Sequence, residues 1–375
     1  MRTDDDLHCL RLIRTEGVGP ITYRRLLDRY KDPEAALAAV PHLVRAGGRG
    51  DAPPIPSLAD ARRERDAIAK LKGRLIFLGD TDYPPLLAQS DDAPPVIAVL
   101  GDAKLLSQPA IAIVGGRNAS AVGLKMAETL AEDLAVHLTV VSGLARGIDG
   151  VAHTAAMRTG RTVAAIAGGL DVTYPMENAA LQRLIGERGA LLTEAPPGTV
   201  PQARHFPRRN RLIAGLSLGV LTIEAARQSG SLITARIAQD LGREIFAVPG
   251  SPLDPRARGG NDLIRDGAVL TASARDVLDA LPGFGGLFAS HAAQDREDAE
   301  PGGSEPEIDA RDLAGLRPLV TALLGPTPIK VDDLTRRCQL SPAAVQAVLL
   351  ELELAGRVAT LPGNRVALVV DAGSK

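Results

Sequence analysis

The stretch AIAIVGGRNAS, residues 110–120, decides the fold of this 375-residue chain. Its first five residues are all apolar, which predicts a buried strand over Ala110–Val114. Two glycines follow, and Ser120 can cap the helix that the pattern predicts at Ala121–Val136. A buried strand that ends in glycines and leads directly into a helix is the repeating unit of parallel sheets covered by helices.

The same alternation continues towards the C-terminus. One earlier strand is predicted at Val96–Leu100, and further strands at Leu138–Ser142, Thr162–Ala167, Ala190–Glu194, Gly219–Ile223, Glu244–Val248 and Ala268–Thr271. Helical patterns fall at Gly147–Arg158, Glu177–Glu187, Arg208–Leu216, Leu232–Leu241 and Asn261–Asp266. Near-continuously apolar strands of this kind predict a parallel sheet with helices on both faces. Such a sheet binds ligands at the carboxyl ends of its strands.

Different patterns flank the sheet region. Residues 1–72 have helical spacing, and the turn Glu16–Pro20 resembles the hairpin of helix-hairpin-helix or sterile-alpha-motif-like modules, although a turn that only packs would look the same. Helical patterns at Leu316–Leu324, Val331–Cys338 and Ala343–Ala355, followed by a hairpin, predict a winged-helix-like domain. Its charges are mixed, so contact with DNA and contact with protein both remain open. We predict four regions: 1–72 helical, 73–284 the sheet domain, 285–311 an acidic flexible linker and 312–375 winged-helix-like.

The charge is distributed unevenly although the formal net charge is only -2. Residues 110–275 hold 18 basic and 14 acidic side chains, a balance of +4, whereas residues 282–312 hold 2 basic and 8 acidic ones, a balance of -6. No run of apolar residues is long enough to span a membrane. Cys9 and Cys338 match no metal or redox spacing, and the first residues lack an apolar signal region. We therefore expect a cytoplasmic protein.

The loop after the first parallel strand has the residues of a phosphate site. Gly115 and Gly116 allow the backbone to approach a phosphate closely, Ser120 offers a hydroxyl, and Arg117 adds a bidentate donor. A tight turn with a solvated arginine is the plain alternative.

Two further strand ends extend the pattern. Arg146 lies in the loop after the next strand, where Asp149 and His153 are spaced to form an i,i+4 hydrogen bond, which we favour over an acid–base pair. Asn178, in the first turn of a later helix, is a candidate contact to a base or phosphate, and Tyr174 is one of few stacking groups.

A basic run, Arg204–Arg211, places four arginines in eight residues at a predicted helix start. Helix N-termini normally favour Asp or Glu, so Arg208, Arg209 and Arg211 indicate a bound anion there, and Asn210 joins the candidate site. No nucleophile elbow, Walker A loop, metal cluster or carboxylate pair accompanies these loops. The sequence therefore predicts a site that holds anions, without metal, cofactor or catalysis.

Ordered motifs across residues 75–275 identify a family. They are Gly115-Gly116-Arg117, Ser142–Asp149, Ala152-His153, Tyr174-Pro175, Phe206–Ile213, Ser229–Ala235, Phe246–Gly250, Gly260-Asn261, Leu263-Ile264 and Gly267-Ala268. In this order they closely resemble the bacterial DNA-processing protein A family, DprA, also called Smf. Many relatives have Gly-Ser-Arg in the first loop, where this chain has Gly116-Arg117 without the serine.

The resemblance implies a fold and a function. The fold is an extended Rossmann-like parallel sheet between the helical and winged-helix-like domains. The function is to bind single-stranded DNA in a basic pocket, to protect incoming DNA and to load the RecA recombinase during natural transformation. Single-strand-binding protein is a further candidate partner. Carried over by motif, the pocket residues are Arg117, Ser120, Arg146, Arg208, Arg209 and Arg211, and a homodimer would form through Asn261, Leu263, Ile264 and Leu270.

Two other functions compete with this one. A Rossmann-like nucleotide phosphoribohydrolase of the lysine-decarboxylase-like type would use Glu224 as its acid or base, although its Pro-Gly-Gly-x-Gly-Thr loop is missing from this sequence. A regulator would instead use the winged helix on duplex DNA. With no Trp, 4 Tyr and 5 Phe, stacking cannot dominate binding along a strand, so contacts to phosphates should.

Overall fold

The computed structural model describes residues 3–48, 53–281, 310–325, 327–338, 340–361 and 364–369. The chain begins with four helices, which are α1 (Thr3–Arg14), α2 (Pro20–Tyr30), α3 (Pro33–Ala46) and α4 (Leu58–Lys70). The start of α3 follows from its sequence, because Asp32 accepts the backbone N–H of Ala35 at 2.7 Å and Pro33 occupies the first helical turn. The predicted helical N-terminal region is confirmed.

A nine-stranded sheet follows. Its strands are β1 (Arg74–Phe77), β2 (Val96–Gly101), β3 (Ala110–Gly115), β4 (Thr139–Ser142), β5 (Thr162–Ala165), β6 (Ala190–Thr193), β7 (Gly219–Ile223), β8 (Glu244–Ala247) and β9 (Val269–Leu270). Its helices are α5 (Pro85–Ala88), α6 (Ala121–Leu134), α7 (Ile148–Ala156), α8 (Ala179–Arg188), α9 (His205–Gly215), α10 (Gly230–Asp240), α11 (Arg258–Arg265) and α12 (Ala274–Ala280), with short 3₁₀ turns at Ala103–Ser107 and Met176–Asn178.

The strand order across the sheet is β1-β2-β6-β5-β4-β3-β7-β8-β9. The strands from β6 to β9 in this order are parallel, which confirms the predicted mostly parallel α/β core. The chain steps outward from β3 to β6 and then returns to β7 on the other side of β3. The loops that follow β3, β4 and β5 therefore emerge side by side at one edge.

Two strands depart from the parallel pattern. β1 and β2 pair antiparallel with each other, and β2 pairs antiparallel with β6. The sequence predicts no strand before Val96, so β1 was missed. β1 has four residues, only one of them buried, and as the edge strand of the sheet it lacks the continuous apolar run that marks the inner strands.

The core lies on both faces of this sheet. Alternate side chains of β3 enter two different clusters: Ala112 and Val114 pack on one face, and Ile111 and Ile113 on the other. This is why the inner strands are apolar throughout, and it fixes their loops in position at the strand ends.

The C-terminal region is a winged helix, as predicted. It contains α13 (Ala310–Ala322), β10 (Ile329–Lys330), α14 (Val331–Cys338), α15 (Pro342–Leu354), β11 (Val358–Leu361) and β12 (Arg365–Leu368). Ser341 caps α15 by accepting the N–H of Ala344 at 3.2 Å. β12 lies between β10 and β11 in a three-stranded sheet, of which the sequence predicts only the hairpin of β11 and β12.

The chain divides into two compact units, one of Met1–Arg63 with Ala299–Lys375 and the other of Glu64–Asp298. The predicted linker lies outside the described residues except for Ala310 and Arg311, which begin α13. Among the residues described, no helix is both long enough and apolar enough to cross a membrane.

Candidate functional site

A cavity of about 280 Å³ opens at the carboxyl edge of the parallel strands. The loops after β3, β4 and β5 form it together with the first turn of α9. Its lining residues are Arg117, Asn118, Gly143, Leu144, Ala145, Arg146, Ile166, Ala167, Tyr174, Pro175, Phe206 and Arg209. Of the predicted site residues, Arg117, Arg146 and Arg209 are therefore brought together, as expected for loops at one edge of a parallel sheet.

Arg209 is the most buried cation of the cavity, with only 6% of its surface exposed. Its Nη1 donates to the carbonyl of Ala165 at 3.3 Å, while its buried Nε has no hydrogen-bond partner. A Cβ atom at Gly143 would overlap with Nη1, so this glycine makes room for the guanidinium. A buried cation in the wall of a cavity is a strong partner for an anion bound there, because the interaction is made away from water.

A carboxylate next to this cation sets the local electrostatics. Asp149 is buried and accepts the backbone N–H groups of Gly143 at 3.2 Å and Ala145 at 3.3 Å. Burial raises the pKa of Asp149, and the charges of Arg209 and Arg117 oppose that shift. Burial likewise lowers the pKa of Arg209, which the charge of Asp149 opposes. Asp149 thus compensates part of the positive charge of Arg209, and an anion bound in the cavity would compensate more of it.

Phe206, which the sequence did not mark as a site residue, supplies an aromatic surface. The guanidinium of Arg117 lies 5.3 Å from its ring centroid and that of Arg209 lies 5.8 Å from it. Tyr174, 44% exposed, is 5.8 Å from the Phe206 ring at an interplanar angle of 54°. Cations over an aromatic face are attracted to it, so Phe206 orients both arginines. The sequence signal for this role was the position of Phe206 within the basic run, directly before Pro207.

Glycine and amide groups hold the loops together. Gly147 has φ +74°, and a Cβ there would overlap with the carbonyl oxygen of Gly116. That carbonyl accepts the N–H of Ile148 at 3.3 Å. The Nδ2 of Asn178 donates to the carbonyls of Leu144 and Ala145, both at 3.0 Å. Asn178 was predicted to touch DNA; in the structure it braces the loop after β4 and lies outside the cavity lining.

The basic run divides into different roles. Arg211 pairs with Glu194 and donates to the carbonyl of Asp92, and Asn210 donates to the carbonyl of Gly230 at 3.4 Å. Both side chains tie α9 to neighbouring segments and lie outside the cavity lining. Arg208 is exposed outside the cavity lining, and Arg146 forms an exposed ion pair with Glu177 at 3.3 Å.

Ser120 also binds a group of the protein itself and lies outside the cavity lining. Its N–H donates to Glu224 at 2.7 Å, its hydroxyl donates to the same carboxylate, and its Oγ accepts the N–H of Gly123 at 3.0 Å. The anion at the start of α6 is thus the protein's own Glu224. Gly115 lies close to the backbone of β7, where a Cβ would overlap with the carbonyl oxygen of Ile223. Glu224 does not line the cavity, which argues against its use as a hydrolytic acid or base.

The predicted hydrogen bond between Asp149 and His153 is wrong. His153 is fully buried, with Nδ1 at 2.7 Å from Thr162 Oγ1. Because the Thr162 hydroxyl donates to the carbonyl of Val140 at 2.9 Å, it accepts from Nδ1–H. Burial, with the charge of Arg209, lowers the pKa of His153 to about 3. The imidazole is therefore a neutral structural group, and no acid–base pair forms.

This buried histidine should make the protein sensitive to acid. Below the ordinary histidine pKa of 6.5, His153 is protonated in the unfolded chain but stays neutral in the folded chain down to about pH 3. The stability of the fold therefore falls as the pH drops from 6.5 towards 3. His153→Asn should flatten the fall by up to about 1.4 kcal/mol per pH unit. Urea unfolding at a series of pH values measures the slope; parallel slopes in both proteins would contradict this. Asp149 is present in both proteins, so its own contribution to the pH dependence drops out of the comparison.

The residues predicted to form a dimer lie near the β9 edge of the sheet. Leu270, on β9, is 51% exposed, and Leu263 and Ile264 are partly buried on α11. Asn261 holds the loop after β8, since its Nδ2 donates to the carbonyl of Gly250 at 2.8 Å and its Oδ1 accepts the N–H of that residue at 3.1 Å. In the described part of the chain, no group of three or more His, Cys, Asp or Glu is placed to hold a metal ion.

Comparison with family models gives three matches along the chain. Residues 74–282 match the family described as DNA recombination-mediator protein A, residues 304–364 match the DprA winged helix domain, and residues 3–67 match the DprA-like N-terminal HHH domain. The first of these covers the sheet and every residue that lines the cavity.

Comparison with individual proteins gives the same family. The chain is 40% identical to Protein Smf of Escherichia coli (strain K12), over 76% of this chain and 75% of that protein. It is 46% identical to DNA processing protein DprA of Streptococcus pneumoniae, over 53% of this chain and 71% of that protein. The crystal structure of the S. pneumoniae protein matches with a TM-score of 0.64 at 33% identity, covering 74% of this chain and 98% of that one.

A second solved structure concerns the single-stranded DNA binding mode of DNA processing protein A from Helicobacter pylori. It matches with a TM-score of 0.50 at 29% identity, covering 55% of this chain and 95% of that one. Since a family model spans more than half of the chain and a 40% identical relative spans about three quarters of it, this chain belongs to the DNA recombination-mediator protein A family.

Proposed function

We propose that the chain binds single-stranded DNA, with a phosphate and its nucleotide seated in the cavity at the ends of β3, β4 and β5. The observation that carries this proposal is Arg209, a buried cation in the wall of the cavity. Arg117 lies on the same aromatic ring and adds a second, exposed guanidinium. The H. pylori neighbour, which binds single-stranded DNA, supports the same ligand for this fold.

The dimensions of the site favour a single strand. A cavity of about 280 Å³ has room on the scale of one nucleotide, and a duplex would have to stay outside it. Phe206 and the half-exposed Tyr174 offer one place for a base to stack, a contact that contributes about 1–3 kcal/mol. The remaining affinity must come from phosphates along the edge, where Arg146 and Arg208 are exposed, so binding should tolerate any sequence.

The cellular role that we propose rests on family membership. A recombination mediator that holds a single strand would protect incoming DNA and load RecA on it during natural transformation. We also propose a homodimer through the β9 edge, because Leu270 leaves an apolar side chain exposed on an edge strand of the sheet. A protein of this kind needs no catalytic group, and Glu224, the acid or base of the hydrolase alternative, is held by Ser120.

The proposal predicts a strong dependence of binding on salt. If about four cations contact phosphates, the logarithm of the association constant should fall with the logarithm of salt concentration with a slope of about -3. Arg117→Ala should lower the affinity for an oligothymidylate about tenfold and make this negative slope less steep by about 0.7. Fluorescence anisotropy at several salt concentrations measures both, and a slope near zero for the unmodified protein would refute phosphate binding.

Arg188→Ala is the matched control for this experiment. Arg188 is an exposed arginine of the same unit, but it ends α8 just before β6 and therefore lies at the amino edge of the strands, opposite the cavity. Equal losses in Arg117→Ala and Arg188→Ala would show general charge attraction instead of a site. A RecA-loading assay on the same variants tests the cellular role, and release of base from nucleoside monophosphates would favour the hydrolase.

A further inference from the structure

The third helix of the winged helix, α15, is buried on two faces. Val345, Val348, Leu349 and Leu352 pack into the core of the winged helix itself. Leu350 and Leu354, which are 2% and 1% exposed, belong instead to the hydrophobic cluster of the N-terminal helices. A helix that reads DNA in a groove must keep one face open to the bases, and from residue 343 onwards no residue of α15 is exposed.

An ion pair strengthens the contact with the N-terminal helices. Arg25 on α2 donates from Nη1 to the carboxylate of Glu353 on α15 at 3.2 Å, and the two side chains are only 16% and 14% exposed. Burial raises the pKa of Glu353, and the charge of Arg25 opposes that shift. Removing one member of a buried pair leaves the other charge uncompensated, so each residue depends on its partner.

The backbones also approach closely at the end of α3. A Cβ atom at Gly47 would overlap with the carbonyl oxygen of Glu351 and lie 2.7 Å from the Cβ of Ala355. Gly47 has an ordinary helical φ of -71°, so its own conformation does not require glycine. Its missing side chain serves the contact between α3 and α15.

The charges of α15 are unsuited to DNA. The helix contains no Lys or Arg and carries Glu351 and Glu353. Glu351 is itself buried in an ion pair with Arg317 at 2.5 Å. The exposed start of the helix, Ser341 and Pro342, offers no cation to a phosphate.

We infer that α15, the recognition helix of a DNA-binding winged helix, serves in this chain as the docking helix for its own N-terminal helices, and that it does not read duplex DNA. The N-terminal module and the winged helix are thereby joined into one body through α2, α3 and α15. The helix that would enter the major groove is used as a protein–protein surface, and its acidic residues are used to hold Arg25 and Arg317.

The test uses the full chain and two glycine variants that each add one methyl group. Gly47→Ala should raise amide hydrogen exchange in α15 and α3 about tenfold, which corresponds to about 1.4 kcal/mol of lost docking free energy. Gly19→Ala is the control, because a Cβ at Gly19 meets nothing within 4 Å. Unchanged exchange in Gly47→Ala would overturn the docking contact.

Charge reversal provides a second test in case Gly47→Ala perturbs folding. Arg25→Glu and Glu353→Arg should each increase exchange in α15, and the double reversal should restore protection, which a purely local destabilisation would not do. Binding of a duplex oligonucleotide is compared between the unmodified protein and Gly47→Ala, which leaves the net charge unchanged. Equal duplex affinity is expected, and tighter duplex binding by the undocked variant would show that α15 is a covered DNA reader and overturn the inference.

Discussion

Replacing Arg209 with methionine is expected to lower the affinity for single-stranded DNA by about ten- to a hundredfold, which is about 1.5–3 kcal/mol for a hydrogen bond to a charged group. Arg209 is buried at the cavity wall and shares the Phe206 ring with Arg117. A phosphate in the cavity would meet this cation away from water, where the interaction is stronger than on the surface. Fluorescence anisotropy with an oligothymidylate measures the loss.

Folding must be separated from binding in this experiment, because Asp149 is left buried without its cation. The double variant Arg209→Met/Asp149→Asn removes that charge and should recover stability without recovering affinity. Gly143→Ala offers an independent route to the same result, since its Cβ would overlap with Nη1 and displace the guanidinium. Full affinity in Arg209→Met, with the fold intact, would mean that DNA binds elsewhere.

Replacing Gly147 with alanine should destabilise the sheet domain by about 3 kcal/mol and reduce DNA affinity as well. Gly147 has φ +74° and ψ -126°, a conformation that side chains rarely adopt, and its Cβ would overlap with the carbonyl oxygen of Gly116. Relief of that overlap would separate the loop after β3 from the loop after β4. Arg117 and Arg146 would then lose their relative positions at the cavity.

Gly242→Ala is the matched control for the backbone cost. Gly242 also has a positive φ, +67°, but a Cβ there meets nothing within 4 Å. Thermal and urea unfolding should show a smaller loss in Gly242→Ala, about 1 kcal/mol, with unchanged DNA affinity. If the two variants lost equal stability, the contact between Gly147 and Gly116 would have no energetic role.

The sequence was most informative where one physical pattern repeats. β3 and β7 are predicted almost to the residue, because inner parallel strands are apolar throughout and end at glycines or helix caps. β1 was missed because an edge strand is paired on one side only and mixes exposed with buried positions. The loops at the carboxyl edge were located correctly for the same reason as the strands, since their position follows from the topology.

Individual site residues were less predictable. The basic run gave no sign that Arg209 turns inward while Arg211 pairs with Glu194, because both are arginines two positions apart on one helix. Ser120 has the residue type of a phosphate ligand, but its partner Glu224 lies 104 positions away. Phe206 became a site residue only through two guanidinium groups from different segments.

By itself, the sequence determined the class of the sheet, the helical N-terminus, the winged helix and the family, because periodicity, capping and ordered motifs are local properties of the chain. Only the tertiary structure decided which arginine faces the cavity, which carboxylate occupies the start of α6, and which helices cover α15. Those choices depend on burial and on contacts between residues far apart in sequence. Here Ser120, Asn178 and Arg211 bind partners elsewhere in the fold and brace it, whereas Arg209 lines the cavity with Arg117 and is the candidate ligand contact.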